Sequence, residues 1–211
     1  MNLLRCILLL LLGPGLALGQ SAQPNKISDL PNQPEAVVRN LYQQVVARHL
    51  VGIPREAEMK FFAPYLSSEL LHRIGLARAC QADFFRQNPR PDLKPAFGWL
   101  ELGLFTGGDE RASPGTFQIE RKEAEKDGAF RVVVRLTWRP PDGPGFWHVA
   151  AIVVPEGSRF VVDNVVFLKD ENMSPLAPAE WRLSAELSQG CNGPHWVGFG
   201  DQRNSPTPNQ K

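Results

Sequence analysis

Between Phe130 and Trp138 the apolar side chains Phe130, Val132, Val134, Leu136 and Trp138 fall on every second residue, alternating with Arg131 and Arg135 and followed by Arg139. Side chains of a strand alternate between its two faces, so this period describes a half-buried β-strand and fits no helix. Asp127-Gly128 just before it is a hairpin signal, because both central residues of that tight turn tolerate positive φ. Phe117 to Glu125 is therefore the expected antiparallel partner. Two more turns, Pro140 to Gly145 and Glu156-Gly157-Ser158, lead into Phe146 to Val154 and Arg159 to Leu168. About four strands in an antiparallel meander follow. The third is apolar on both parities, as a central strand covered on both faces must be. Helices cover one face; for the other, a partner subunit is a candidate, which makes a homodimer through the sheet an expectation.

Before Gly115 the period is that of a helix. Val38, Leu41, Tyr42, Val45, Val46, His49 and Leu50 recur at three- and four-residue steps from Pro34, and Gly52 and Pro54 end the stripe. Ser67-Ser68-Glu69 starts a second, longer helix, whose face of Leu70, Leu71, Ile74, Ala77, Cys80, Phe84 and Phe85 runs to Asn88-Pro89. Residues 88 to 116, rich in Pro and Gly, read as a structured connection with an apolar island from Ala96 to Phe105. Residues 178 to 189 read as a short amphipathic helix with Trp181, Leu183 or Ser184, and Leu187 on one side. The Gly-, Pro- and Asn-rich remainder, 190 to 211, reads as a tail, with disorder expected beyond Asp201.

At the other end, Met1 to Gly19 has one cation, Arg5, an apolar run from Cys6 to Leu12, and Ala17-Leu18-Gly19. These are the parts of a secretory signal peptide. A membrane span needs about 20 apolar residues, and Gly13-Pro14-Gly15 breaks this run short of that. Gln20, not a cysteine, follows the expected cut, so no lipid anchor is indicated. The expected product is an exported chain, secreted or periplasmic, with a flexible leader over 20–33, one domain over 34–189 and no membrane anchor after cleavage.

The chain has 23 basic and 22 acidic residues, and Arg5 is the only charge within residues 1–19. The mature part is thus electrically balanced. Clustered Lys and Arg, which nucleic acids and anionic membranes require, are missing, so no nucleic-acid partner is expected. Cys80 and Cys191 remain after cleavage, and an oxidising compartment makes a bridge between them the default, with free thiols or intermolecular pairing as alternatives.

Two N-terminal helices followed by a curved meander resemble the nuclear transport factor 2-like, or cystatin-like, α+β cone. Pro34-Glu35-Ala36-Val37-Val38-Arg39-Asn40-Leu41-Tyr42 is similar to the first helix of such domains. Phe146-Trp147-His148-Val149 and Gly157 to Val165 are similar to their closing hairpin. Within that group the chain resembles bacterial secreted domains of unknown function, over residues 34 to 170. The resemblance implies a cone whose mouth holds a small ligand, and in some relatives an Asp or His base for isomerase, cyclase or dehydratase chemistry. His72 and Asp83 on the second helix, His148 on the third strand, and Asp163 and Asn164 on the fourth are the polar residues placed to line it. Trp99 and Trp138 are candidate aromatic walls.

Each also has a plainer reading: His148 as a core histidine, His72 as a solvent-facing one, Asp83 as the acceptor of Arg86, Asp163-Asn164 as a bulge or strand end. No nucleophile elbow, phosphate-cradling loop or paired metal-ligand motif occurs. Histidines scattered at 49, 72, 148 and 195 do not have zinc-site spacing. No cofactor and no metal are expected. The function expected is a non-enzymatic exported domain that binds a small apolar ligand or a protein partner. The alternatives are a pocket enzyme of the isomerase or dehydratase kind with a His and carboxylate pair, and an inhibitor or immunity-type protein.

Overall fold

Pro34 opens the first helix, α1 (Pro34–Arg48), where its missing N–H is harmless and its fixed φ already helical. Glu35 in the first turn suits the positive end of the helix dipole. One face, carrying Val37, Val38, Leu41, Tyr42 and Val45, is buried. The apolar stripe is expected to run on through His49 and Leu50, but the helix stops at Arg48. His49 turns to a left-handed φ of 50° as the helix cap and is exposed, while Leu50 beyond it still packs against the core. The computed structural model describes residues 33–90, 103–107, 113–138, 145–169 and 180–198. The expected signal peptide, leader residues 20–32, Trp99 and the tail beyond 198 lie outside them.

A single turn, α2 (Glu56–Met59), and a 3-10 turn at Ala63–Tyr65 lead to α3 (Ser68–Gln87). Ser67 caps α3, its hydroxyl accepting from the Leu70 N–H at 2.9 Å and donating to Asp163 Oδ1 at 2.6 Å. One side chain thus satisfies an orphan helix donor and ties the helix to the sheet. Ser68 adds a second tie, donating through its backbone N–H and its hydroxyl to Glu156 Oε1.

The sheet is a meander of β1 (Pro114–Ala124), β2 (Phe130–Trp138), β3 (Phe146–Glu156), β4 (Arg159–Leu168) and β5 (Glu180–Arg182), each antiparallel to its sequence neighbour. The fold is α+β, helices on an open antiparallel sheet of five strands. Asp127 and Gly128 take φ of 57° and 74° in the first turn, the geometry that their residue types favour. Register slips at Glu120 in β1 and Asp163 in β4 leave each without a cross-strand partner; Asp163 is thus a bulge residue.

Residues 180–187 depart from the expected helix. Glu180–Arg182 pairs with Val166–Leu168 as β5, and only Leu183–Glu186, here α4, is helical. The free edge of β4 supplies the reason, since its unpaired N–H and C=O groups need partners. The same edge is closed at Val162 by Leu66 and Ser67, through a parallel bridge and the Ser67 N–H.

The core lies between α1, α3 and the sheet. Val132, Val134, Leu136, Val149, Val162 and Val165 point into it from the strands. On the opposite face Val133, Ala150, Ile152 and Val166 form a second apolar cluster, each between 0% and 6% exposed within the single chain. Both apolar faces of β3 are thus buried within the single chain.

Residues 191–196, within the expected tail, form a small hairpin of β6 (Cys191–Asn192) and β7 (His195–Trp196), fixed to α3.

Candidate functional site

Among the described residues, large buried side chains occupy the space between helices and sheet, where a cone ligand would sit. Tyr42, Phe62, Phe105, Leu41, Leu70 and Ile74 are fully buried there. Tyr42 donates its hydroxyl to the Phe105 carbonyl at 2.9 Å, and burial pushes that phenol far above the ordinary tyrosine range. It is a fixed donor, not a base.

The residues expected to converge on a mouth separate into distinct places. His72 is exposed on α3, away from the sheet. Asp83, further along the same helix, is buried under the β6–β7 hairpin. Its Oδ2 accepts from the Trp196 N–H at 2.8 Å and from Gln87 Nε2 at 2.9 Å, while Arg86 pairs with Oδ1. The Trp196 N–H, helped by the charge of Arg86 and the amide of Gln87, holds the carboxyl below its ordinary range. Beside it Cys80 and Cys191 form a disulfide, S–S 2.06 Å, and Phe84 meets the Trp196 ring edge-on at 5.2 Å. Asp83 is a structural anchor, and its acceptance from Arg86 is the plainer reading that holds.

Asp163 and Asn164 are likewise committed. Asp163 takes the Ser67 hydroxyl. Asn164, buried, accepts from the Val165 and Ser184 N–H groups and donates to Ser184 Oγ at 2.8 Å, which docks α4 on β4. Trp138 packs on Trp147 with ring centroids 4.9 Å apart, and Trp147 Nε1 donates to the Thr106 carbonyl at 2.8 Å. Gly145 lies against the Trp138 indole so closely that a Cβ there would sit 2.3 Å from Cδ1. Trp99 falls outside the described residues.

His148 is the one that relocates. The inward positions of β3 are Trp147, Val149, Ala151 and Val153, so His148 lies on the sheet face opposite the helices, away from any mouth. Its Nε2 is 3.2 Å from Glu120 Oε2, and its ring is 5.4 Å from that of Phe146. Opposite His148 in the register stands Arg135, whose guanidinium carbon lies 4.0 Å from the Phe146 ring centre. Phe146 is 48% exposed.

A cleft of about 510 Å³, which no sequence signal marked, opens at the end of α1 beside Arg48, His49, Val51, Ile53, Arg55 and Glu58. Its polar groups are mostly engaged: Arg55 with Glu58 at 2.8 Å, and Arg48 with Gln44 and the Phe61 ring. A smaller hollow of about 80 Å³ lies between α3, α4 and the hairpin, lined by Arg73, Leu76, Leu187 and Cys191 among others. The cleft followed from no pattern because it is made by a reversal of the chain, the left-handed turn at His49. Among the described residues no group of three metal-ligating side chains occurs and no helix is long and apolar enough to cross a membrane. Compared with protein-family models, curated proteins and solved structures, the chain matches none.

Proposed function

We infer that the chain is a non-enzymatic, exported domain that engages a protein partner through its surface. The observation that carries this reading is the filled interior. Tyr42, Phe62 and Leu70 occupy the space in which a cone-type enzyme or carrier would hold its ligand. The carboxylates and amide that an acid–base mechanism would draw on are bound instead to Ser67, Ser184 and the Trp196 N–H. A general base must reach its substrate's proton, and these groups already spend their hydrogen bonds within the fold. The order of two long helices and then a meander supports membership of the nuclear transport factor 2-like group. The N-terminal pattern and the Cys80–Cys191 disulfide together support export.

Native mass spectrometry of the chain purified from its own host tests this. The expected species starts near Gln20, keeps its disulfide, and carries a polypeptide at fixed stoichiometry. A small molecule retained in place of a polypeptide overturns the partner reading, and a species that still contains residues 1–19 overturns the export reading.

A further inference from the structure

We propose that the sheet face opposite the helices carries a binding site for a carboxylate attached to a flat apolar body, built on Arg135 and Phe146. This deepens the reading of the chain as a surface-binding domain and rests on it. The two arginines of β2 that share this face are treated differently by the fold. Arg131 is ion-paired to Glu180 at 2.6 Å. Arg135, four residues on and on the same face, forms no ion pair or hydrogen bond among the described residues, and its Nε is buried without an acceptor. The Phe146 ring stacks on it, and Gln118 and His148 are its register partners on β1 and β3. A guanidinium has five N–H donors and no acceptor; with Nε buried, a cation held this way keeps the donors of its two terminal nitrogens for a ligand.

The surroundings narrow the class. Glu120 is the acid nearest in register, since it is the bulge residue of β1 between the partners of Val134 and Val133. His148 Nε2 lies 3.2 Å from that carboxylate, and among the described residues no ion pair joins Glu120 to the guanidinium. One cation with a carboxylate nearby suits a monoanion; a phosphate, with close to two charges, is repelled more strongly by Glu120. A planar fork matches a carboxylate in two parallel hydrogen bonds. The half-exposed Phe146 ring supplies an apolar wall beside it. The carboxylate can belong to a free aromatic acid or to the C-terminus of a partner chain ending in an aromatic residue.

Nuclear magnetic resonance titration of the full mature chain distinguishes these sources. The probes are benzoate, N-acetylphenylalanine as a mimic of a chain end, and benzamide as the neutral control, all at constant ionic strength. We expect saturable shifts at the Arg135 Nε–H and at residues 146–148 with both acids and none with benzamide. A stronger response to N-acetylphenylalanine assigns the site to a partner's C-terminus, and a stronger response to benzoate assigns it to a free acid. Arg135→Gln and Arg135→Lys are expected to weaken binding about tenfold or more, since neither side chain keeps the charged fork. Phe146→Ala is expected to weaken benzoate more than acetate. Equal shifts with benzamide, unchanged binding by Arg135→Gln, or no saturable shift at Arg135 overturns the site. Those failures leave a polypeptide seen in native mass spectrometry in place, whereas a chain that carries no polypeptide but still binds benzoate overturns the partner reading alone.

Discussion

Asp83 commits both of its carboxylate oxygens to structure, which makes it the residue whose titration the hairpin feels. Its carboxyl is held below the ordinary range, first by the Trp196 N–H. A depressed folded value means the attachment is fully present above the unfolded carboxyl range, near pH 4, and is lost as pH falls through the lower folded value. Hydrogen exchange at the Trp196 amide is therefore expected to stay slow from neutral pH down to about that point and to quicken below it. Asp83→Asn is expected to remove the acid step and leave exchange fast throughout. Tyr42 presents the complementary case, a neutral buried donor. Tyr42→Phe deletes the hydroxyl that satisfies the Phe105 carbonyl and should destabilise by about 1–3 kcal/mol, read from the midpoint of chemical denaturation. Neither role was visible in the residue types. Asp83 looked like a lining acid because helix spacing gives a face, and a donor to its oxygens, the Trp196 N–H, comes from a segment more than a hundred residues away.

The elements were legible where period and punctuation agreed. α1, α3 and strands β1 to β4 follow from apolar spacing and from the turn residues Asp127-Gly128 and Gly157-Ser158. β5 did not, because three residues are too few to show a period, and what makes them a strand is the open edge of β4. The β6–β7 hairpin escaped for a related reason. Its composition suits a loose tail, and it is ordered by Cys80, Asp83 and Phe84 of α3. The disulfide joins residues 111 apart in sequence. Its loss in a Cys80→Ala, Cys191→Ala double variant is expected to lower stability by up to about 4–5 kcal/mol in the chain-entropy view. Limited proteolysis should then cut within 190–198 while the meander stays intact. Gly190 marks the same attachment, with φ at +66° and a Cβ position 2.2 Å from the Trp196 ring. Gly190→Ala should loosen the hairpin, read as a change in near-ultraviolet circular dichroism from Trp196.

At the scale of the molecule, two apolar layers and an even charge balance set the expectations. The outward cluster of Val133, Ala150, Ile152 and Val166 is already buried within one chain. Sedimentation velocity of the mature chain is therefore expected to show a monomer at micromolar concentration, and a stable dimer would show that the outer face is sealed between copies. The same face keeps its polar surface at Glu120, Arg135 and His148, where recognition is expected to be sensitive to salt, since one exposed charge pair is screened over about 10 Å at 0.1 M.

From the sequence alone came the class α+β, the order of the long elements, the turn chemistry and the pairing of Cys80 with Cys191 as the default. Each rests on short-range physics, the periodicity of a helix or strand and the φ tolerance of Gly and Asp, or on simple cysteine arithmetic. Which face each polar residue occupies was decided in three dimensions. His148 was a candidate for the mouth until the alternation of β3 turned Trp147 and Val149 inward and left it outside. Asp163 and Asn164 were candidates until a bulge and the docking of α4 engaged both. A residue's chemistry is written in its side chain, but its availability depends on contacts between segments distant in sequence, and only the packed structure specifies those.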